Sequence, residues 1–127
     1  MKDDCVFCQI IEGDIPSHKV YENEKVVAFL DANPVSKGHT LVVPKKHVEN
    51  IHEAEGMGYM WDALVKVSNA VKEAFEPSGI NVNQNNGAMA GQEVFHLHFH
   101  ITPRYDGSEI NLDYDRSELK NGDEISS

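Results

Sequence analysis

Residues 96–101 read His96-Leu97-His98-Phe99-His100-Ile101, so histidine and a large apolar residue alternate through three cycles. Side chains of a β-strand project to opposite faces with period two. A strand here carries His96, His98 and His100 on one face and Leu97, Phe99 and Ile101 on the other. Neighbouring imidazoles on that face would lie about 6.5–7 Å apart. The apolar face calls for a core, and the imidazole face for chemistry. Imidazole titrates nearest neutrality of the side chains, so it serves as base, nucleophile or metal ligand. The alternation with Leu and Phe, and the internal position, separate this run from an expression tag. Metal ligation and nucleophilic chemistry both remain open on these residues alone.

At 127 residues the chain is expected to form one domain with its own core. No window is long and apolar enough to cross a bilayer. Met1-Lys2-Asp3-Asp4 leads into mixed polar and apolar residues rather than a signal-peptide core, so a cytoplasmic location is expected. The formal net charge of −10 opposes nonspecific binding to nucleic acid or to an anionic membrane. It leaves room for a small anionic ligand, because a local pocket can oppose the global charge. The two cysteines, Cys5 and Cys8, form a Cys-x-x-Cys pair. A redox use needs a strand leading into a helix that begins at the motif, and residues 1–4 do not supply one. Two thiolates make half of a tetrahedral zinc site.

Apolar residues at Val6, Phe7, Ile10 and Ile11 predict a short helix over residues 6–12, stopped by Gly13. Val20-Tyr21 reads as a brief strand and Val26–Leu30 as a longer one, joined by Glu22-Asn23-Glu24. Asp31-Ala32-Asn33-Pro34 is a loop. His39–Val43 is a third strand, closed by Pro44. Met57, Met60, Trp61, Leu64, Val67, Val71, Ala74 and Phe75 predict a helix over 57–75 with that stripe in the core. Pro77 and Gly79 end it. Ile80–Gln84 resumes strand character, 85–92 is a flexible loop, and Glu93–Thr102 is the histidine strand, stopped by Pro103. Short connections favour antiparallel pairing. The expected fold is therefore α+β: an antiparallel sheet of about five strands with one long helix and a short N-terminal helix. Residues 1–105 form the domain, and 106–127 an acidic, polar tail.

Neutral imidazole attacks phosphorus well when its other ring nitrogen holds a proton fixed by an acceptor. The transferred group is then stored as a labile phosphoramidate, which water cleaves. Flanking imidazoles and a Gly-rich loop suit the charge that develops.

His96-Leu97-His98-Phe99-His100-Ile101-Thr102 resembles the signature of the histidine triad (HIT) family: three histidines, each followed by an apolar residue, then one more apolar position. Thr102 departs mildly at that last position. Other segments resemble the family as well: Cys5–Ile11 with Ile15-Pro16, Phe29-Leu30-Asp31, Gly38–His47, and Gly91–His96. Together they cover about residues 5–105, and the chain is most similar to a Hint-like bacterial member. The resemblance implies hydrolysis or transfer of nucleotides bonded through the α-phosphate, including purine nucleoside phosphoramidates and dinucleoside polyphosphates. It implies that His98 is the nucleophile, with His100, His39 and Gln92 supporting the reaction. It implies ribose binding by Asp31, phosphate-side contacts from Asn85, Gln92, Glu93 and His100, and a base slot from Phe7, Ile10 and Phe29. Many Hint-like enzymes carry serine where this chain has Glu93, which bears on the leaving-group contact. Zinc-bearing relatives, among them galactose-1-phosphate uridylyltransferases, imply a structural zinc on Cys5, Cys8, His47 and His96. The branch further implies a homodimer.

Two other readings compete with this one. The histidine cluster could hold the metal of a metal-dependent phosphohydrolase, or the chain could be a noncatalytic purine-nucleotide-binding adaptor. His18 and His52 are expected to face solvent, and Lys45-Lys46 to form a solvated turn.

Overall fold

The structure is a computed structural model that describes residues 4–106. The proposed tail, residues 106–127, lies outside the described residues except for its first position. Helix α1 spans Val6–Glu12 and α2 Tyr59–Phe75; the strands are β1 Lys19–Glu22, β2 Val26–Leu30, β3 Thr40–Pro44, β4 Gly79–Asn83 and β5 Phe99–Arg104. The five strands form one sheet in the order β1-β2-β3-β5-β4. Every neighbouring pair is antiparallel. This is the α+β architecture expected from the sequence.

The runs Val26–Phe29 and Thr40–Pro44 are buried residue after residue rather than alternately. Both faces of the sheet centre are therefore covered, which suits continuous apolar strands. One face packs Val26, Ala28, Val42, Leu97 and Ile101 against Met60, Ala63, Leu64, Val67 and Val71 of α2. The other packs Val27, Phe29, Leu41 and Val43 against Phe7, Cys8 and Ile10 of α1. Burying each large side chain contributes about 1.5–3 kcal/mol. Helix α1 thus closes the imidazole side of the sheet, and α2 closes the apolar side.

Three expectations need correction. Trp61 is 69% exposed and does not belong to the packed stripe of α2. The helix starts after Gly58, so Met57 is buried from the preceding turn rather than from the helix. Most consequential, the histidine segment is not one strand from 93 to 102. Pairing begins only at Phe99 and runs through Pro103 to Arg104. Before Phe99 the chain leaves β3: the Leu97 N–H donates to the Val48 carbonyl at 2.8 Å, and the Pro44 carbonyl takes the His96 side chain instead of a backbone donor. Pro103 is tolerated because β3 pairing has already ended at Ile101, leaving only β4 alongside. The two-face alternation survives all the same, with Leu97, Phe99 and Ile101 on the α2 side.

The turn into β3 depends on Gly38. Its φ is +89°, and a Cβ there would lie 2.8 Å from the Phe75 ring. Only glycine meets both conditions without strain.

Candidate active site

Four side chains with acid–base chemistry meet where β2 ends, β3 begins and β5 begins. Asp31 follows β2, His39 precedes β3, His100 lies in β5, and His98 lies just before it. The register that pairs Leu41 with His100 brings the start of β3 beside the triad. A cavity of about 370 Å³ opens over them, lined by Phe7, Asp31, Leu41, Asn85, Glu93, His98 and His100, with Asn33, Gly91 and Val94 completing its rim. That volume suits a nucleotide-sized ligand.

Hydrogen bonds fix the imidazole tautomers. His98 Nδ1 lies 2.7 Å from the His96 carbonyl oxygen, which can only accept. The Nδ1–H therefore donates, and Nε2 keeps its lone pair. The Val35 N–H donates to His39 Nδ1 at 3.1 Å, so the His39 proton is on Nε2. That N–H is aimed at His100 Nδ1, 3.0 Å away, and lies 3.6 Å from Asp31 Oδ2. His100 then accepts at Nδ1 and carries its proton on Nε2. Asp31 is itself oriented, because Oδ1 accepts the Asn33 N–H at 2.9 Å. Phe7 stands edge-on to the His98 ring, with centroids 5.0 Å apart.

Burial dominates the basicity of all three rings. It lowers the pKa of His39 and His98 from the ordinary imidazole value, although the Asp31 charge opposes it in both and the His96 carbonyl opposes it in His98. His100 is pushed down to about 4 by burial, then by the neighbouring His98 and His39. All three are neutral near pH 7, as a lone-pair nucleophile and its neutral donors require.

A second cluster sits beside the first. Cys5, Cys8, His47 and His96 each offer one ligand atom, and those atoms lie within 4.8 Å of one another. The separations are Cys5 Sγ to His96 Nδ1 3.3 Å, Cys8 Sγ to His47 Nδ1 3.2 Å, Cys8 Sγ to His96 Nδ1 3.5 Å, and the two Nδ1 atoms 3.1 Å. Tetrahedral zinc with ordinary Zn–S and Zn–N lengths has edges of about 3.3–3.8 Å, so the donor set fits. His96 Nε2–H donates to the Pro44 carbonyl at 2.8 Å, which leaves Nδ1 free to ligate. Burial pushes the Cys5 thiol up, and the Cys8 N–H, which donates to Cys5 Sγ at 3.4 Å, opposes that shift. These residues could hold a metal ion.

Several expected residues stand differently from their assigned roles. Gln92 is buried and does not line the cavity. Its amide donates to the Glu49 and Val94 carbonyls at 2.7 and 3.1 Å, and its oxygen accepts the Gly87 N–H at 2.7 Å. With its polar atoms so engaged, it braces the 85–94 loop. Ile10 and Phe29 lie in the packed layer beneath Phe7 rather than in the wall. Leu41, Asn33, Gly91 and Val94 were missed. Leu41 was legible, since strand alternation puts it on the His100 side; the others needed the loop's path. His18 and His52 are exposed as expected, and Lys45 is held by Glu22 at 2.7 Å.

The family profile described as HIT domain matches residues 12–107. The chain belongs to the HIT family. It is 54% identical over 105 residues to Protein hit of Bacillus subtilis, covering 81% of this chain and 72% of that one. It is 47% identical over 100 residues to the adenosine 5′-monophosphoramidase hnt1 of Schizosaccharomyces pombe, covering 79% and 74%. A crystal structure of a HIT family member from Bacillus subtilis superposes with a TM-score of 0.81 at 47% identity, covering 98% of this chain and 96% of that chain. The fold of the chain is therefore the HIT-like α+β fold. Among the described residues no helix is long and apolar enough to cross a membrane.

Proposed function

We propose that this HIT protein is a nucleotide hydrolase or transferase that works through a covalent nucleotidyl-histidine on His98. The observation that carries the reading is the 2.7 Å bond from His98 Nδ1–H to the His96 carbonyl, which leaves an Nε2 lone pair on a ring that lines the cavity. Purine nucleoside phosphoramidates are the preferred substrate class, supported by the phosphoramidase named among the relatives. Dinucleoside polyphosphates are the second class.

In the first step His98 Nε2 attacks the α-phosphorus and the bond to the leaving group breaks. For an amide, nitrogen leaves with the bonding pair and takes a proton from solvent. In the second step water attacks the same phosphorus, the P–Nε2 bond breaks, and one water proton is released. The nucleoside monophosphate departs and His98 returns to its starting tautomer. His100 Nε2–H, fixed in place by His39, is the donor for a phosphoryl oxygen. Asp31 receives the ribose hydroxyls, Asn85 and the Glu93 backbone serve the phosphate side, and Phe7 with Leu41 forms the base slot. Gln92 holds the loop that carries Asn85 and Glu93.

The Cys5, Cys8, His47, His96 cluster fits a structural zinc ion. When bound, the metal supplies a closed four-ligand crosslink between α1 and the segment before β5, with no position for a reacting water. The reaction steps belong to the chain's own residues. A cytoplasmic homodimer completes the reading. Edge strand β4 and the exposed Ile51, Trp61 and Val82 border an apolar groove of about 410 Å³, which a second copy would cover. Light scattering should give twice the chain mass for wild type and the monomer mass for Trp61→Glu.

Intact-protein mass spectrometry after rapid quench with an adenosine phosphoramidate tests the chemistry. One added adenylyl group, absent in His98→Ala, is the expected result. Chelator-sensitive turnover without an adduct would instead favour a metal held by Asp31, His39 and His100, whose ligand atoms also converge. Binding without turnover would favour an adaptor.

A further inference from the structure

A second cavity shares part of its wall with the one over His98. Glu93 and Val94 line the His98 cavity, and they also line the second, of about 410 Å³, with Asp4, Glu49 and Phe95 among its other walls. Glu93 and Val94 are therefore walls of both spaces. An in-line displacement at phosphorus expels its leaving group on the side opposite the nucleophile. A group larger than an amide nitrogen needs room there, and the second cavity is the space that shares the Glu93 wall.

The second cavity is also walled by Cys5 and His47 of the thiol–imidazole cluster, and the charged side chains on this route outside that cluster are carboxylates. Glu93 stands in the shared wall, with Asp4 and Glu49 in the second cavity. Neither cavity is lined by a lysine or arginine among the described residues. The nearby Lys45 is engaged by Glu22 at 2.7 Å. The whole chain carries a formal net charge of −10. Leaving groups differ in how they meet this field. An amide nitrogen is neutral while bonded to phosphorus and becomes an ammonium once it departs and takes its proton. Sulfate or phosphate departs with added negative charge. A carboxylate beside the departing atom favours the first course and opposes the second.

We propose that Glu93 is a specificity-determining residue that selects leaving groups bearing positive charge, so that the substrates are nucleotide amides of amines carrying a second cationic group. The proposal rests on the nucleotidyl-histidine reading and narrows it: polyphosphate and sulfate leaving groups are disfavoured.

Three adenosine 5′-phosphoramidates of matched length test this, built on 1,4-diaminobutane, n-butylamine and 4-aminobutyrate. The quantity read is the ratio of kcat/KM between them, within each variant, alongside the adenylyl adduct by mass spectrometry. One unit charge at close range in a water-like medium corresponds to about fivefold. The wild type should prefer the diaminobutane amide over the aminobutyrate amide by about tenfold or more. Glu93→Gln should shrink that ratio at least threefold, and 0.5 M salt should shrink it in the wild type. Comparable melting temperatures of the two proteins are expected, since Glu93 is exposed. Turnover of all three amides with a ratio near one, or with a ratio unchanged in Glu93→Gln, overturns the specificity role alone. No turnover and no adduct with any of them overturns both this proposal and the reading beneath it.

Discussion

His96 and His98 are two residues apart, point the same way from the sheet, and do different work. His96 gives its Nε2–H to the Pro44 carbonyl and turns Nδ1 into a cluster with two cysteines and His47. His98 gives its Nδ1–H to the His96 carbonyl and keeps Nε2 for the cavity. The same ring appears in opposite tautomers because each meets a different carbonyl. One is a buried ring turned into the thiol cluster, and the other is a neutral ring with a free lone pair at the cavity, the one proposed as nucleophile. A side chain's chemistry here follows from which acceptor lies behind it, not from residue type.

The strongest way to break this contrast is to delete one ring of each kind. His98→Asn should lower turnover by about 10³-fold or more while moving the melting temperature little, measured by steady-state kinetics and calorimetry. His96→Asn should act first on stability. Cys8→Ser is the cleaner probe of the anchor, because Cys8 lies farther from the reacting atoms. Loss of that crosslink should cost about 3 kcal/mol in denaturant unfolding and drop bound zinc from one per chain towards zero by elemental analysis. Unchanged stability and metal content in Cys8→Ser would dissolve the distinction between the two clusters.

Smaller effects sharpen the reacting side. Asp31→Asn should weaken binding of adenosine monophosphate about tenfold while leaving the 2′-deoxy analogue less affected, read by calorimetric titration; equal losses would remove the sugar role. Acidification should act through His100. Its folded pKa of about 4 is below the ordinary imidazole value of 6.5. The unfolded chain therefore takes up that proton first as pH falls. His100 contributes stability in full above about pH 6.5, and the contribution declines between 6.5 and 4. Turnover should hold to lower pH than a free imidazole allows and fall as pH approaches 4, seen in a kcat/KM profile, which reports the unliganded protein. A profile falling already near 6.5 would mean that the rings are not held neutral.

Much of the fold was legible in periodicity. The runs Val26–Leu30 and His39–Val43 marked strands, though not that both their faces are covered, and three- and four-residue spacing marked α2. The alternation from 96 to 101 correctly divided imidazoles from core residues. It overreached in making the whole segment one strand, since alternation reports side-chain direction and says nothing of backbone partners. Trp61 failed for a similar reason: a helical repeat gives the stripe but not its width, and Trp61 sits beyond the edge that the sheet covers. Gln92 was open to two readings, because an amide beside a glycine-rich loop suits a ligand or a brace equally well. In this structure its side chain makes three internal hydrogen bonds that tie the loop together.

By itself the sequence determined the element types, the α+β class, the family and the residues that converge, because these follow from local periodicity and from side-chain chemistry at set spacings. The tertiary structure decided which imidazole nitrogen is free, that the Gln92 side chain is hydrogen-bonded inward, and that Glu93 is a wall of both the His98 cavity and a second one holding Asp4 and Glu49. Those outcomes depend on carbonyls and carboxylates brought from distant parts of the chain, Pro44 to His96 and Glu49 to Gln92, and no local pattern encodes where a folded backbone places its acceptors.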